Sequence, residues 1–209
     1  MNRRTAPRKR VVAAVMVVAV VAGALAIAGA AISGGSEEVV QPSMVAGDFE
    51  DLKAAVDAIS RPRGSEDELS PAAAEAVASI ASASASVSAS AAQSSMRVFE
   101  AKVIGPVWVV PAADGFGIIT ETGGGVVSGI LGRTMPIAGG VTDPGPDEPT
   151  VVWGIATDAV IGVDIVIGDQ TFEATLVENG YYWLAPDKSL DLDGAKMHVH
   201  LADGAKVVL

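Results

Sequence analysis

The chain contains no cysteine. That excludes a disulfide framework, a thiolate metal site and a cysteine nucleophile. It also excludes an anchor built on a lipidated cysteine. An exported domain of this kind must draw its stability from its core, and a C-terminal region of about 110 residues is large enough to hold one. Aromatic residues are scarce, at 4% of the chain, and four of them crowd between Phe172 and Trp183. Histidine occurs only at His198 and His200. Positive charge is also short. Arg3, Arg4, Arg8, Lys9 and Arg10 precede residue 11, leaving nine bases against 25 acids in the rest, a net charge of −16. So acidic a surface speaks against nucleic acid, whose phosphates need Lys and Arg. It fits a solvated domain held apart from anionic headgroups.

One feature is present in excess. Val11 to Ile32 is an uncharged run of 22 residues. As a helix it would span roughly 33 Å, enough for a hydrocarbon core of about 30 Å. The basic residues before it resist translocation, which orients the chain N-in, C-out. The lipid bilayer is thus the expected partner of residues 11–32, in a single-pass cell-membrane protein with an extracytoplasmic C-terminal domain. The alternative is a secreted protein with a cleaved signal peptide, because Ala26-Ile27-Ala28 and Ala28-Gly29-Ala30 both have the small-x-small form. The run exceeds the usual signal-peptide core of about 7–15 residues, which favours an uncleaved anchor.

The remaining chain divides by composition. Residues 1–10 form a cytoplasmic basic tail, 11–32 the transmembrane helix, and 33–47 a juxtamembrane linker opening on Ser33-Gly34-Gly35-Ser36. Residues 48–80 read as a short helical segment. Phe49, Leu52, Val56 and Ile59 follow Asp48 at helical spacing, and Ser70-Pro71 is a helix start. Alternating Ser and Ala gives no apolar face, so residues 81–96 read as a linker or a weak helix. From Arg97 to Leu209 the pattern is that of strands. Val107–Val110, Phe116–Thr120, Val151–Ala156, Val160–Ile167, Thr171–Val177, Tyr181–Leu184, Lys196–Leu201 and Ala205–Leu209 are short β-rich runs. Gly123-Gly124-Gly125 breaks the chain, and Asn179-Gly180 fits a tight hairpin turn. The expected fold is mainly β, an antiparallel β-sandwich or small barrel preceded by the transmembrane helix and one or two short helices.

Several marks recur in a fixed order. They are the N-terminal run, Arg61-Pro62 with Asp67 and Leu69, Trp108-Val109-Val110-Pro111, Gly154 through Val163, and Asn179-Gly180-Tyr181. In these the chain resembles uncharacterised envelope proteins of high-GC Gram-positive bacteria, over about Phe49 to Pro186. The resemblance implies a cell-envelope location and lends no activity. Relatives carry a Cys pair in the segment matching Phe116 to Gly132, and this chain has none there. The late hairpins are similar to small β-sandwich modules of the transthyretin or bacterial Ig-like kind, a likeness of fold alone.

No catalytic constellation stands out, and no cofactor is implied. His198 and His200, two apart in a strand, would share a face on which both rings meet one metal. A metal-dependent envelope hydrolase using this pair is the alternative to a non-enzymatic binding or structural domain. No third ligand at good spacing is evident, so a solvent-facing pair is favoured and no metal site is assigned. Asp191-Leu192-Asp193-Gly194 opens like a calcium loop but does not continue as one, and reads as a β-turn. Gly123-Gly124-Gly125 lacks the Lys and helix start of a phosphate loop. Trp108, Trp153, Tyr181, Tyr182 and Trp183 would suit a glycan platform, although alternation sends part of this set into the core. An envelope protein or a glycan is the expected kind of partner.

Overall fold

The computed structural model describes residues 39–40, 49–129, 131–143, 148–187 and 189–209. The expected cytoplasmic tail and transmembrane helix lie outside these residues, as does most of the juxtamembrane linker. Among the described residues no helix is long and apolar enough to cross a membrane. The architecture is mainly β, with thirteen strands in three sheets among the described residues.

The first sheet is a meander of β2 (Met96–Ala101), β3 (Gly105–Ala112), β4 (Gly115–Thr120) and β5 (Gly123–Ser128). The middle sheet has the order β10-β11-β7-β6, from β6 (Ile137–Thr142), β7 (Val151–Ala156), β10 (Thr175–Val177) and β11 (Gly180–Leu184). The third has the order β1-β13-β12-β8-β9. It comprises β1 (Val39–Val40), β8 (Val160–Ile167), β9 (Gln170–Glu173), β12 (Lys196–Leu201) and β13 (Lys206–Val208). All pairings are antiparallel except β1 with β13, where Val39 lies opposite Lys206 and Val40 opposite Val207. A piece of the expected juxtamembrane linker therefore serves as an edge strand.

Alternation explains the layering, because successive side chains of a strand point to opposite faces. In β3, Val107 and Val109 enter one core, while Trp108 and Val110 enter another. In β7, Val151, Trp153 and Ile155 face the first sheet, and Val152 and Ala156 face the third. Strands buried on both sides read as unbroken apolar runs, which is how Val107–Val110 and Val151–Ala156 stand in the sequence. Among the described residues the third sheet packs a core on one face. Val163, Ile165, Val199, Leu201 and Val207 point inward, and the residues alternating with them are Asp164, Val166, His198, His200, Lys206 and Val208.

Helices cover what the sheets leave open. α1 (Phe49–Ala55) and α2 (Asp57–Ser60) bury Leu52, Val56 and Ile59 in the core between the first and middle sheets. These residues are integral to the β core and not a separate appendage. α3 (Pro71–Ala83) starts as expected, with the Ser70 hydroxyl accepting from the Ala73 N–H at 3.3 Å. It lays Ala73 and Val77 on the outer face of the first sheet.

Of the two readings of residues 81–96, linker or weak helix, the structure shows short helix. α3 runs on to Ala83, a 3-10 helix spans Ala89–Ser94, and Val87 and Ala91 are buried against Trp108 and Ile119. Ala and Ser are small enough to let the backbone lie close on the sheet, so contact replaces the missing apolar stripe. The break expected at Gly123-Gly124-Gly125 is corrected, since these glycines open β5. A Cβ on Gly124 would overlap the backbone of Ile118, so close strand approach explains the glycine there.

Two strand readings change as well. Thr171–Val177 is not one strand. It splits at Ala174, whose N–H donates to the Val163 carbonyl at 2.8 Å, and the chain crosses from the third sheet to the middle one. The hairpin turn lies one residue earlier than Asn179-Gly180. Val177 pairs with Gly180, so the turn residues are Glu178 and Asn179, and Glu178 takes the positive φ of 50°.

Candidate binding groove

The residues expected to carry chemistry are placed as follows. His198 and His200 do share the outer face of the third sheet. His200 Nε2 lies 2.8 Å from Asp164 Oδ2, and Asp164 is opposite His198 across the strand pair. Burial holds the His198 pKa below its ordinary value, and Lys206 adds to this. Among the described residues no group of three His, Asp or Glu side chains is arranged to hold a metal ion. The glycan platform is not formed: Trp108, Trp153, Tyr181 and Trp183 are buried. Phe172 and Trp183 pack at 5.1 Å between ring centroids, and Trp153 Nε1 donates to Thr142 Oγ1 at 2.9 Å. At Asp191-Leu192-Asp193-Gly194 the Asp191 carboxylate accepts from the Asp193 N–H at 3.0 Å, a local turn.

A site that the sequence reading did not assemble lies where three distant segments meet. The loop after α2, the first residues of β2 and the turn between β10 and β11 enclose an open groove of about 450 Å³. Arg61, Glu66, Arg97 and Glu178 supply its charged walls together with Asp57, and Ala58 and Val98 are apolar lining.

Each wall is fixed by the backbone chemistry around it. Asp67 is fully buried (0% exposed). Its two oxygens accept from Arg61 Nη1 at 2.7 Å, Arg61 Nη2 at 2.9 Å, the Gly64 N–H at 2.7 Å and the Arg97 N–H at 2.7 Å. Burial alone would raise the Asp67 pKa, but the Arg61 guanidinium and the two N–H donors outweigh it and hold it below the ordinary carboxylate value. The pair raises the Arg61 pKa in turn. Arg61 is thus locked in a bidentate fork, and the start of β2 is tied to the same carboxylate. The Ser95 hydroxyl donates to the Asp67 carbonyl at 2.6 Å, and Arg63 Nε donates to the Ser95 carbonyl at 3.1 Å.

The opposite wall hangs on Asn179. Its Oδ1 accepts from the Ala58 N–H at 3.0 Å, and its Nδ2 donates to the Ala156 carbonyl at 3.2 Å and to Asp158 Oδ1 at 2.7 Å. Asp158 Oδ1 also accepts from the Asp57 N–H at 2.8 Å. The first amides of α2 are therefore capped by side chains from over a hundred residues away.

Two irregularities border the groove. The register between β2 and β3 shifts between Arg97 and Phe99, leaving Val98 as the extra residue of a β-bulge. Bulges re-aim side chains and are common beside functional sites. Glu178 is the one non-glycine residue with positive φ among those described, a conformation that costs free energy and concentrates at such sites. Neither signal is legible in sequence, because residues 57–66, 97–98 and 178–179 come together only in the fold. Only the Arg61-Pro62 and Asp67 marks, and Asn179, hinted at it. No protein-family model, curated protein or solved structure matches this chain.

Proposed function

We propose that this chain is a membrane-anchored, extracytoplasmic binding domain of the cell envelope with no catalysis of its own. The observation that carries the reading is the groove at Arg61, Arg97 and Glu178. Its charged walls are set by a buried carboxylate and a buried amide, a preorganised arrangement suited to recognition. Its described lining offers arginines, carboxylates and an amide whose three polar hydrogen-bonding interactions hold the fold. It offers neither a histidine nor a hydroxyl or thiol nucleophile.

The anchor rests on the uncharged run from Val11 to Ile32 behind five basic residues. The resemblance to envelope proteins of high-GC Gram-positive bacteria, and the finer assignment of the sheets to a sandwich behind a transmembrane helix, belong to the same proposal. Fractionation with alkaline extraction, combined with protease treatment of intact cells, tests it. The full chain should stay in the extracted membrane and its C-terminal part should be cleaved from outside. A mature N-terminus near Ala31 and a soluble product would show instead a secreted protein with a cleaved signal.

A further inference from the structure

We infer that the groove takes a zwitterionic ligand of the amino-acid or short-peptide class, its carboxylate set against Arg97 and its ammonium against Glu178. This inference rests on the binding reading above and names the chemistry of that same groove.

The charge pattern selects the class. Of the nine bases after residue 10, only four are arginines; the side chains of Arg61 and Arg63 bind the loop around Asp67 and Ser95, and Arg97 joins it through its backbone N–H. Arg61 spends its fork on Asp67, with Glu66 at 3.1 Å. Arg97 is freer. Its guanidinium pairs with the exposed Glu100 at 3.1 Å, in a solvated pair that contributes little. An arginine of this kind retains donors for a second carboxylate in bidentate geometry. Across the groove, Glu178 lies close enough to Arg61 to interact with it electrostatically, and its carboxylate accepts no hydrogen bond among the described residues.

Other ligand classes fit worse. A dianion such as phosphate would meet the carboxylates of Asp57, Glu66 and Glu178 in the same lining. A simple cation would meet Arg61 and Arg97. A glycan usually needs an exposed aromatic face, and the lining contains none. A molecule with one charge of each sign satisfies both walls, and the apolar Ala58 and Val98 leave room for a short backbone between them. A groove of about 450 Å³ lies within the roughly 300–1,000 Å³ of small-ligand pockets.

The test is a titration of the full chain in detergent with glycylglycine, acetate and methylamine, followed by amide chemical shifts. Glycylglycine should give saturable shifts confined to residues 57–66, 97–98 and 178–179, with an affinity at least about tenfold above either single-charge probe. Arg97→Gln and Glu178→Gln should each weaken it by about tenfold or more, at an unchanged melting temperature. If Glu178→Gln unfolds the chain, Arg97→Gln alone decides. Absence of saturable shifts, equal binding of acetate, or an unaffected Arg97→Gln overturns the inference. Membrane attachment is read separately by fractionation. A soluble chain that binds glycylglycine keeps the ligand class and loses the anchor, while an anchored chain that ignores it loses the ligand class alone.

Discussion

The ring of Phe99 fills the space into which a Cβ on Gly180 would project. Phe99 is fully buried on β2, and Gly180 opens β11, so the contact joins the first and middle sheets across their shared core. Glycine is required there by crowding and not by a left-handed backbone, since the positive φ of this turn belongs to Glu178.

Gly180→Ala should therefore destabilise the chain by about 1–3 kcal/mol, the usual cost of overpacking a core. Denaturant unfolding measures it. Gly180→Asn should be at least as harmful, although Asn tolerates positive φ. Phe99→Leu should recover part of the loss in a double-mutant cycle. A well-tolerated Gly180→Asn would show that backbone conformation, and not the ring, sets the requirement.

Asp67→Asn should cost on the order of 1.5–3 kcal/mol, the range for hydrogen bonds to a charged group. The wild type should show a matching pH dependence. Because the native pKa lies below the ordinary value of 3.8, the unfolded chain binds the proton first as pH drops. The stabilisation is complete above that value and is lost as pH falls through the lowered native one. Melting curves at descending pH should separate wild type from Asp67→Asn above about pH 4 and converge in stronger acid, with 3.8 as the unfolded reference.

Asn179→Ala removes three hydrogen bonds at once and leaves the Ala58 N–H without its cap. A loss of about 1–3 kcal/mol is expected for the buried groups left unpaired. The effect should be local first. Hydrogen exchange ought to quicken over residues 52–60 well before the sheets open. Uniform exchange behaviour along the chain would mean that α1 and α2 are held by packing alone.

A fragment starting at Arg97 should fail to fold cooperatively. It lacks Leu52, Val56 and Ile59, each fully buried, and at about 1.5–3 kcal/mol per side chain their loss is comparable with a whole domain stability of about 5–15 kcal/mol. Circular dichroism and amide dispersion of residues 97–209 against 48–209 provide the comparison. A well-dispersed spectrum from the shorter fragment would show the β region to be an autonomous unit.

Much of the β framework was legible because its strands follow elementary patterns. Val151–Ala156, Val160–Ile167 and Lys196–Leu201 coincide with β7, β8 and β12. The Ser70-Pro71 start of α3 was equally plain. The losses have one physical origin: residues whose structure depends on a distant neighbour carry no local signal. β5 and β6 contain Gly123–Gly125 and Gly139-Gly140, where close packing outweighs the poor strand propensity of glycine. Ala91 is buried because a sheet lies beneath it, not because of any stripe. The split at Ala174 follows from the Val163 carbonyl, eleven residues back. The groove depends wholly on such distant meetings, and its strained residue, Glu178, looks in sequence like an ordinary acid.

The crossing at Ala174 has a kinetic consequence. In chain order the middle sheet receives β6 and β7, the third receives β8 and β9, the middle one β10 and β11, and the third β12 and β13. The two sheets are interleaved, so the middle sheet is completed only after β8 and β9 have been laid down, and the third only after β10 and β11. β7 waits for β11, and β8 waits for β12. Closing these loops before their contacts are rewarded slows folding to about the millisecond-to-second range of non-local β topologies. It also couples the two layers into one transition, so a chain ending anywhere before β12 would leave β8 paired with β9 alone and Val163 without Val199 opposite it.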